Sequence, residues 1–186
     1  MKVAMISGSR NPEGQTARAA EALLAGLESQ GVLTERFFLP AMAIERCRQC
    51  DERGWGTCLS QGQCEIEDDF GSLVEHIRQS DAVVFATPVY FGDLSESMRA
   101  FTDRLRRITM HENGKRGIEG KQAIGICVAG GGGGGGPACT VSLEKVLRTA
   151  GFDLVDIIPA RRQNLAFKLG ILEATGKWLA AGAPEA

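Results

Sequence analysis

The sequence predicts an α/β fold, a five-stranded parallel sheet in the order 2-1-3-4-5 with helices on both faces. Three observations predict it. Short apolar runs alternate five times with longer runs whose apolar residues recur at helical spacing. The short runs are continuous rather than alternating, the pattern of strands covered on both faces. Five such units fill 186 residues as one domain, whereas a six-stranded dinucleotide-binding sheet needs more chain.

The elements follow in order. Val3 to Ser7 is the first strand, and Gln15 to Gln30 a helix with Ala20, Leu23, Leu24 and Leu27 on one stripe. Thr34 to Leu39 is the second strand, halted by Pro40. Residues 40–67 have no clear period and form a Cys-rich insertion in a single domain spanning 1–186. Asp69 is expected to cap a helix carrying Phe70, Leu73, Val74 and Ile77. Ala82 to Thr87 is the third strand, followed by a helical stripe at Leu94, Met98, Phe101, Leu105 and Ile108. Asn113-Gly114 marks a turn. Gln122 to Ala129 is the fourth strand and runs into seven glycines, 130–136. Pro137 suits the first turn of a helix carrying Leu143, Val146, Leu147 and Ala150, which Gly151 ends. Leu154 to Ile158 is the fifth strand. Leu165, Leu169, Leu172 and Leu179 mark the last helix, and the AGAPEA tail is expected to fray.

Composition narrows the function. Lys and Arg number 21 against 23 Asp and Glu, a net charge of -2, which argues against nucleic-acid binding through bulk charge. No apolar run reaches the roughly 18 residues of a membrane span. The opening MKVAMISGSR has too short an apolar stretch for a signal peptide, which points to the cytoplasm. In that reducing compartment the six Cys read as ligands or buried thiols rather than disulfides.

Ligands of such a sheet bind beyond the carboxyl ends of its strands. The loop after the first strand, Ser7 to Thr16, holds hydroxyls, two Gly and Arg10, and ends where a helix begins. It suits a phosphate but lacks the Walker spacing, and a plain turn is the other reading. The loop after the third strand, Thr87 to Asp93, carries Tyr90 and Phe91 beside Gly92, which suits a flat ring or a capped core. The Gly run after the fourth strand suits close approach of backbone to a planar ligand, or a hinge.

Taken together, GSRNPEGQT, DDF at 68–70 and SDAVVFATPVYFGDLSESMRAFTDR at 80–104 resemble the NADPH-dependent FMN reductase group of flavodoxin-like proteins, in its iron–sulfur flavoprotein branch. The resemblance covers most of residues 1–150. It implies a flavodoxin-like three-layer sandwich and one non-covalent FMN. Ser9, Arg10, Gln15 and Thr16 would hold the phosphate. Pro88, Val89, Tyr90, Phe91 and Gly92 would lie against the isoalloxazine ring, and Ala129, Gly130, Gly131, Gly132 and Gly133 would approach its other edge. It also implies a homodimer or homotetramer. The Gly run is longer than the family's usual turn.

Cys47, Cys50, Cys58 and Cys64 are spaced C-x2-C-x7-C-x5-C. Four thiolates suit a [4Fe–4S] cluster or tetrahedral zinc, and structural thiols without metal are the third reading. The branch's pattern is more compact. Arg53 stands where its third Cys would fall, and Cys58 follows the insert ERGWGT. Cys127 and Cys139 read as small buried hydrophobes. His76 and His111 read as exposed, so a His-dependent hydrolase has little support. Asp103 and Arg104 read as a surface pair, locally paired or facing a partner subunit.

The expected function is an FMN-dependent NAD(P)H oxidoreductase. NAD(P)H, a transient co-substrate, would give hydride to the flavin, and a quinone, flavin, other small molecule or protein would accept the electrons. The alternatives are an iron–sulfur flavoprotein carrying electrons between partner proteins, and a cofactor-free interaction domain.

Overall fold

A computed structural model describes residues 1–182. The strands are β1 (Lys2–Ser7), β2 (Leu33–Phe38), β3 (Ala82–Pro88), β4 (Gln122–Ala129) and β5 (Asp153–Arg161). They form one sheet in the order β2-β1-β3-β4-β5, and every neighbouring pair is parallel. The helices are α1 (Gln15–Glu28), α2 (Thr57–Ser60), α3 (Asp69–Gln79), α4 (Glu96–Ile108), α5 (Glu112–Lys115), α6 (Gly136–Thr149) and α7 (Leu165–Ala180). None among the described residues is long and apolar enough to cross a membrane.

Successive strand residues point to opposite faces of the sheet, so each strand feeds two cores. Val3, Met5, Val84 and Ile126 pack with Leu23, Leu27, Leu172 and Leu179 of α1 and α7. Ala4, Ile6, Val83 and Phe85 pack with Phe70, Phe101, Leu105 and Leu143 of α3, α4 and α6. This is the three-layer sandwich that the apolar runs imply. The α1–α7 contact is backbone against backbone. A Cβ on Gly176 would stand 2.1 Å from the Leu23 carbonyl oxygen, and one on Gly26 2.1 Å from that of Glu173.

Several local readings need correction. Strand β5 runs from Asp153 to Arg161 rather than from 154 to 158. It is an edge strand whose exposed residues alternate with buried ones, so the apolar run understates its length. Asn113-Gly114 lies inside the one-turn helix α5 instead of an open turn. His111 caps that helix, its Nδ1 accepting from the Asn113 N–H at 3.1 Å. The tail expected to fray lies, from residue 183, outside the described residues.

The helix cap at the DDF segment is Asp68, not Asp69. The Asp68 carboxylate accepts from the Phe70 N–H at 3.1 Å, while Asp69 is the first helical residue and accepts from the Ala43 N–H at 2.7 Å. Arg104 is also unlike its surface reading. It is 1% exposed and pairs with Asp68, at 2.6 and 2.9 Å, rather than with Asp103. Asp103 pairs with Arg106 instead. Arg104 further donates to the carbonyls of Glu45 and Ile66 and lies over the Phe70 ring at 4.2 Å. Neighbouring residues on a helix point about 100° apart, so Asp103 could not follow Arg104 inward. Burial pushes the Asp68 carboxyl up. Arg104 and the N–H groups of Glu45 and Phe70 outweigh burial and hold it below the ordinary carboxylate range.

Two measurements test these contacts. Gly176→Ala adds a good helix former, yet it should lower stability by about 1–3 kcal/mol in thermal unfolding, because two backbones must part. A variant as stable as the parent would show that the helices separate freely. Asp68→Asn keeps the cap but leaves Arg104 buried without a counter-charge, and should cost about 3–5 kcal/mol in denaturant unfolding at neutral pH. A depressed carboxylate stabilises above its unfolded pKa, about 4, and that contribution is lost as pH falls through the lowered folded value. The parent should therefore lose more stability than the variant below pH 4. Parallel acid profiles would remove Asp68 as the group responsible.

Candidate functional site

A cleft of about 510 Å³ opens at the carboxyl ends of β1, β3 and β4. Three loops build it. The first leads from β1 to α1 and contributes Ser9, Asn11, Gly14, Gln15 and Thr16. Gly14 precedes α1 without a side-chain cap, and the first turn carries no acidic residue. The N–H groups of that turn therefore meet the cleft with their partial positive charge uncompensated. The Ser9 and Thr16 side chains are buried beside them. Gln15 Oε1 is buried and has no hydrogen-bond partner among the described residues. An orphaned acceptor and a bare helix start fit a ligand that brings both an anion and a hydroxyl or N–H donor.

Pro88, Val89 and Tyr90 line the second side of the cleft, and Val128, Gly130, Gly131 and Gly134 the third. Tyr90 and Asp93 exchange both backbone hydrogen bonds, at 3.0 and 2.9 Å, across a turn whose central residues Phe91 and Gly92 have φ of 50° and 78°. Left-handed backbone suits Gly92 but strains Phe91, whose ring is fully exposed at the turn's tip. Of the expected residues, Arg10, Phe91, Gly92, Ala129, Gly132 and Gly133 lie outside the cleft wall. Arg10 is exposed on the first loop, and Ala129 is buried at the end of β4. Asn11, Gly14, Val128 and Gly134 line it although the motif reading did not single them out.

A buried hydroxyl network joins the first two loops. Thr87 Oγ1 accepts from the Ser95 N–H at 3.1 Å, and Ser97 Oγ donates to the Gly8 carbonyl at 3.3 Å. A Cβ on Gly8 would stand 2.3 Å from Ser95 Oγ, so only glycine allows this approach. Ser95 also caps α4. The missed signal is its position, a Ser three residues before Met98 of the apolar stripe and followed at once by Glu96.

The four insertion cysteines, Cys47, Cys50, Cys58 and Cys64, line one small cavity of about 10 Å³ together with Trp55, Glu65, Ile66 and the side chains of Arg48, Arg104 and Arg107. The spacing therefore does bring all four thiols to one wall, across a stretch of 18 residues that includes the short helix α2. Among the described residues no three Cys, His, Asp or Glu groups stand in an arrangement that grips one metal ion. Burial raises the pKa of the Cys50 thiol, and Glu65 and the other three thiols raise it further. Four thiolates this close repel one another, so the donor set calls for positive charge among them. Three guanidinium groups and a thiophilic metal centre are both suited to supply it. Arg107 stacks on Trp55 at 4.1 Å and donates to the Gly54 carbonyl.

The remaining candidates are structural. Cys127 and Cys139 are fully buried, with their sulfurs 3.5 Å apart. His76 is half-exposed, beside Phe37 and 3.3 Å from Glu35.

The sequence profile described as NADPH-dependent FMN reductase matches residues 1–167. An iron–sulfur flavoprotein of Methanocaldococcus jannaschii is 30% identical over 125 residues, 67% of this chain and 62% of that protein. One from Archaeoglobus fulgidus is 34% identical over 105 residues, 56% of this chain and 46% of that protein. The chain thus spans less than two thirds of the length of these relatives. A Bacillus subtilis protein named as an NAD(P)H-dependent FMN-containing oxidoreductase is 29% identical over 70% of this chain and 67% of its own. Among solved structures, an NAD(P)H:quinone oxidoreductase from Methanothermobacter marburgensis superposes with a TM-score of 0.71 at 19% identity, covering 96% of both chains. That likeness shows the flavodoxin-like fold. With the profile matched over nearly its whole length, this chain belongs to the NADPH-dependent FMN reductase family.

Proposed function

We propose that the cleft holds one FMN and that the protein is an FMN-dependent NAD(P)H oxidoreductase, delivering electrons to a quinone, free flavin or other acceptor. The bare N-terminus of α1, flanked by two buried hydroxyls at one end of an open cleft, carries this reading. In it the α1 N–H groups, Ser9 and Thr16 bind the phosphate, and Arg10 adds charge from the rim. Gln15 Oε1 accepts from a hydroxyl of the ribityl chain. Pro88, Val89 and Tyr90 form one wall for the ring, and Gly130 and Gly131 leave the opposite approach free of side chains. Bound FMN supplies hydride and electron transfer, so the chain's own work is to bind, orient and leave one face open. The fully exposed Phe91 at the rim supports assembly as a homodimer or homotetramer, with a second copy covering that ring.

A second reading adds a [4Fe–4S] cluster on Cys47, Cys50, Cys58 and Cys64, making the protein an electron carrier as well. It is favoured by the convergence of four thiols on one pocket walled by guanidinium groups, and by the iron–sulfur flavoprotein relatives.

Thr16→Val removes one hydroxyl while keeping the side-chain shape. It should weaken FMN binding by about tenfold to a hundredfold, as loss of a hydrogen bond to a charged group does. Riboflavin, which has no phosphate, should bind the variant and the parent alike. Fluorescence titration with both flavins reads this directly, and equal weakening of both would place Thr16 away from the phosphate. Cys50→Ser should abolish iron and acid-labile sulfide in protein purified without oxygen and leave the flavin bands intact. Unchanged iron and sulfide in that variant would remove Cys50 from the ligand set.

A further inference from the structure

We infer that Arg104 and Arg107 are positioning residues for an anionic, thiolate-ligated centre in the cysteine pocket, donating through their Nε–H groups to its sulfurs and raising its reduction potential. The inference rests on the cluster reading of that pocket.

Two independent features of the side chains point there. Arg104 uses its terminal nitrogens fully. One meets Asp68 Oδ2 at 2.6 Å and the Glu45 carbonyl at 3.0 Å, and the other meets Asp68 Oδ1 at 2.9 Å and the Ile66 carbonyl at 3.4 Å. Its Nε is nevertheless buried with no oxygen or nitrogen partner, and so is the Nε of Arg107. A buried N–H left unpaired costs about 1–3 kcal/mol, and two on one wall ask for an acceptor. Both residues line the cavity that the four thiols line. Their spacing, three residues apart on α4, places them side by side on one helix face. Cys64 lines the same cavity and, as a thiolate, favours the charged form of Arg104.

Charge is the second feature. Asp68 neutralises Arg104 and Glu45 pairs with Arg48, whereas Arg107 is held by a ring and a carbonyl, with no carboxylate partner. The wall therefore carries one cation and one anion without ion-pair partners among the described residues, Arg107 and Glu65, and Arg107 is the cation that the thiols meet. Four thiolates around an iron–sulfur core carry net negative charge, and reduction adds one electron more. A nearby cation and N–H donors to sulfur favour the more negative form, which raises the potential.

The test uses the full chain, loaded anaerobically with FMN, iron and sulfide, and follows both midpoint potentials by spectroelectrochemical titration. Arg107→Met keeps the stem over Trp55 and removes the charge and the donor. It should move the centre's potential to more negative values while the flavin potential stays in place. Arg107→Lys, which keeps the charge, should recover part of that shift. Arg104→Lys, if its melting curve shows a folded protein, should shift the centre in the same direction as Arg107→Met. An unchanged centre potential in Arg107→Met would overturn the inference and leave the cluster reading standing. So would a common shift of centre and flavin. A parent protein that takes up no iron and sulfide would overturn both.

Discussion

A guanidinium group taken out of water needs a partner for its charge and for each N–H. Arg104 finds those partners on the segment that joins β2 to α3. Asp68, the Glu45 carbonyl and the Ile66 carbonyl all belong to it. That segment has no periodic apolar face, and its regular structure is confined to a 3-10 turn at Leu39–Ala41 and the four-residue helix α2. The buried pair seats it against α3 and α4. With the segment seated, Cys47, Cys50, Cys58 and Cys64 reach a common wall instead of trailing through solvent. Asp68 does double service, capping α3 with the same carboxylate.

The cleft depends on the same kind of close approach, made by glycine rather than by charge. Gly8 lets the first loop touch Ser95, and Gly135 lets the glycine run touch the loop after β3, where its Cβ would stand 2.6 Å from Gly92 Cα. Most of the run behaves differently. Gly130, Gly131, Gly132 and Gly134 have open space where a Cβ would go. Gly133 and Gly135 are constrained, while Gly130, Gly131 and Gly134 offer bare backbone to the cleft. This division explains how an unbroken run can be both a packing element and an open wall.

Helix α4 connects the two regions. Ser95 caps it beside the cleft, and Arg104 and Arg107 lie further along on the face of the cysteine pocket. At 1.5 Å per residue, Ser95 and Arg104 are about 14 Å apart along the axis. Its inward stripe packs Met98, Phe101, Leu105 and Ile108 into the core between them. One rigid element thus sets the position of both sites.

Arg104 also shows where reading the chain in one dimension stops. It occupies the stripe of Phe101, Leu105 and Ile108, a spacing of three and four that marks a core position. Its charge and its neighbour Asp103 nevertheless suggest the surface. Likewise Asp68 and Asp69 are equally good caps by type, and only the approach of Ala43, Glu45 and Arg104 separates their roles. The cysteine spacing named the four thiols but not the arginines beside them. The amino-acid sequence by itself determined the central strands and the three loops at their carboxyl ends, because burial on both faces leaves an uninterrupted apolar run in β1, β3 and β4, and the count of five units in this length pointed to the strand order. Tertiary structure alone decided which carboxylate holds Arg104 and which side chains wall the cysteine pocket, because contacts between positions 36 apart leave no local period to read.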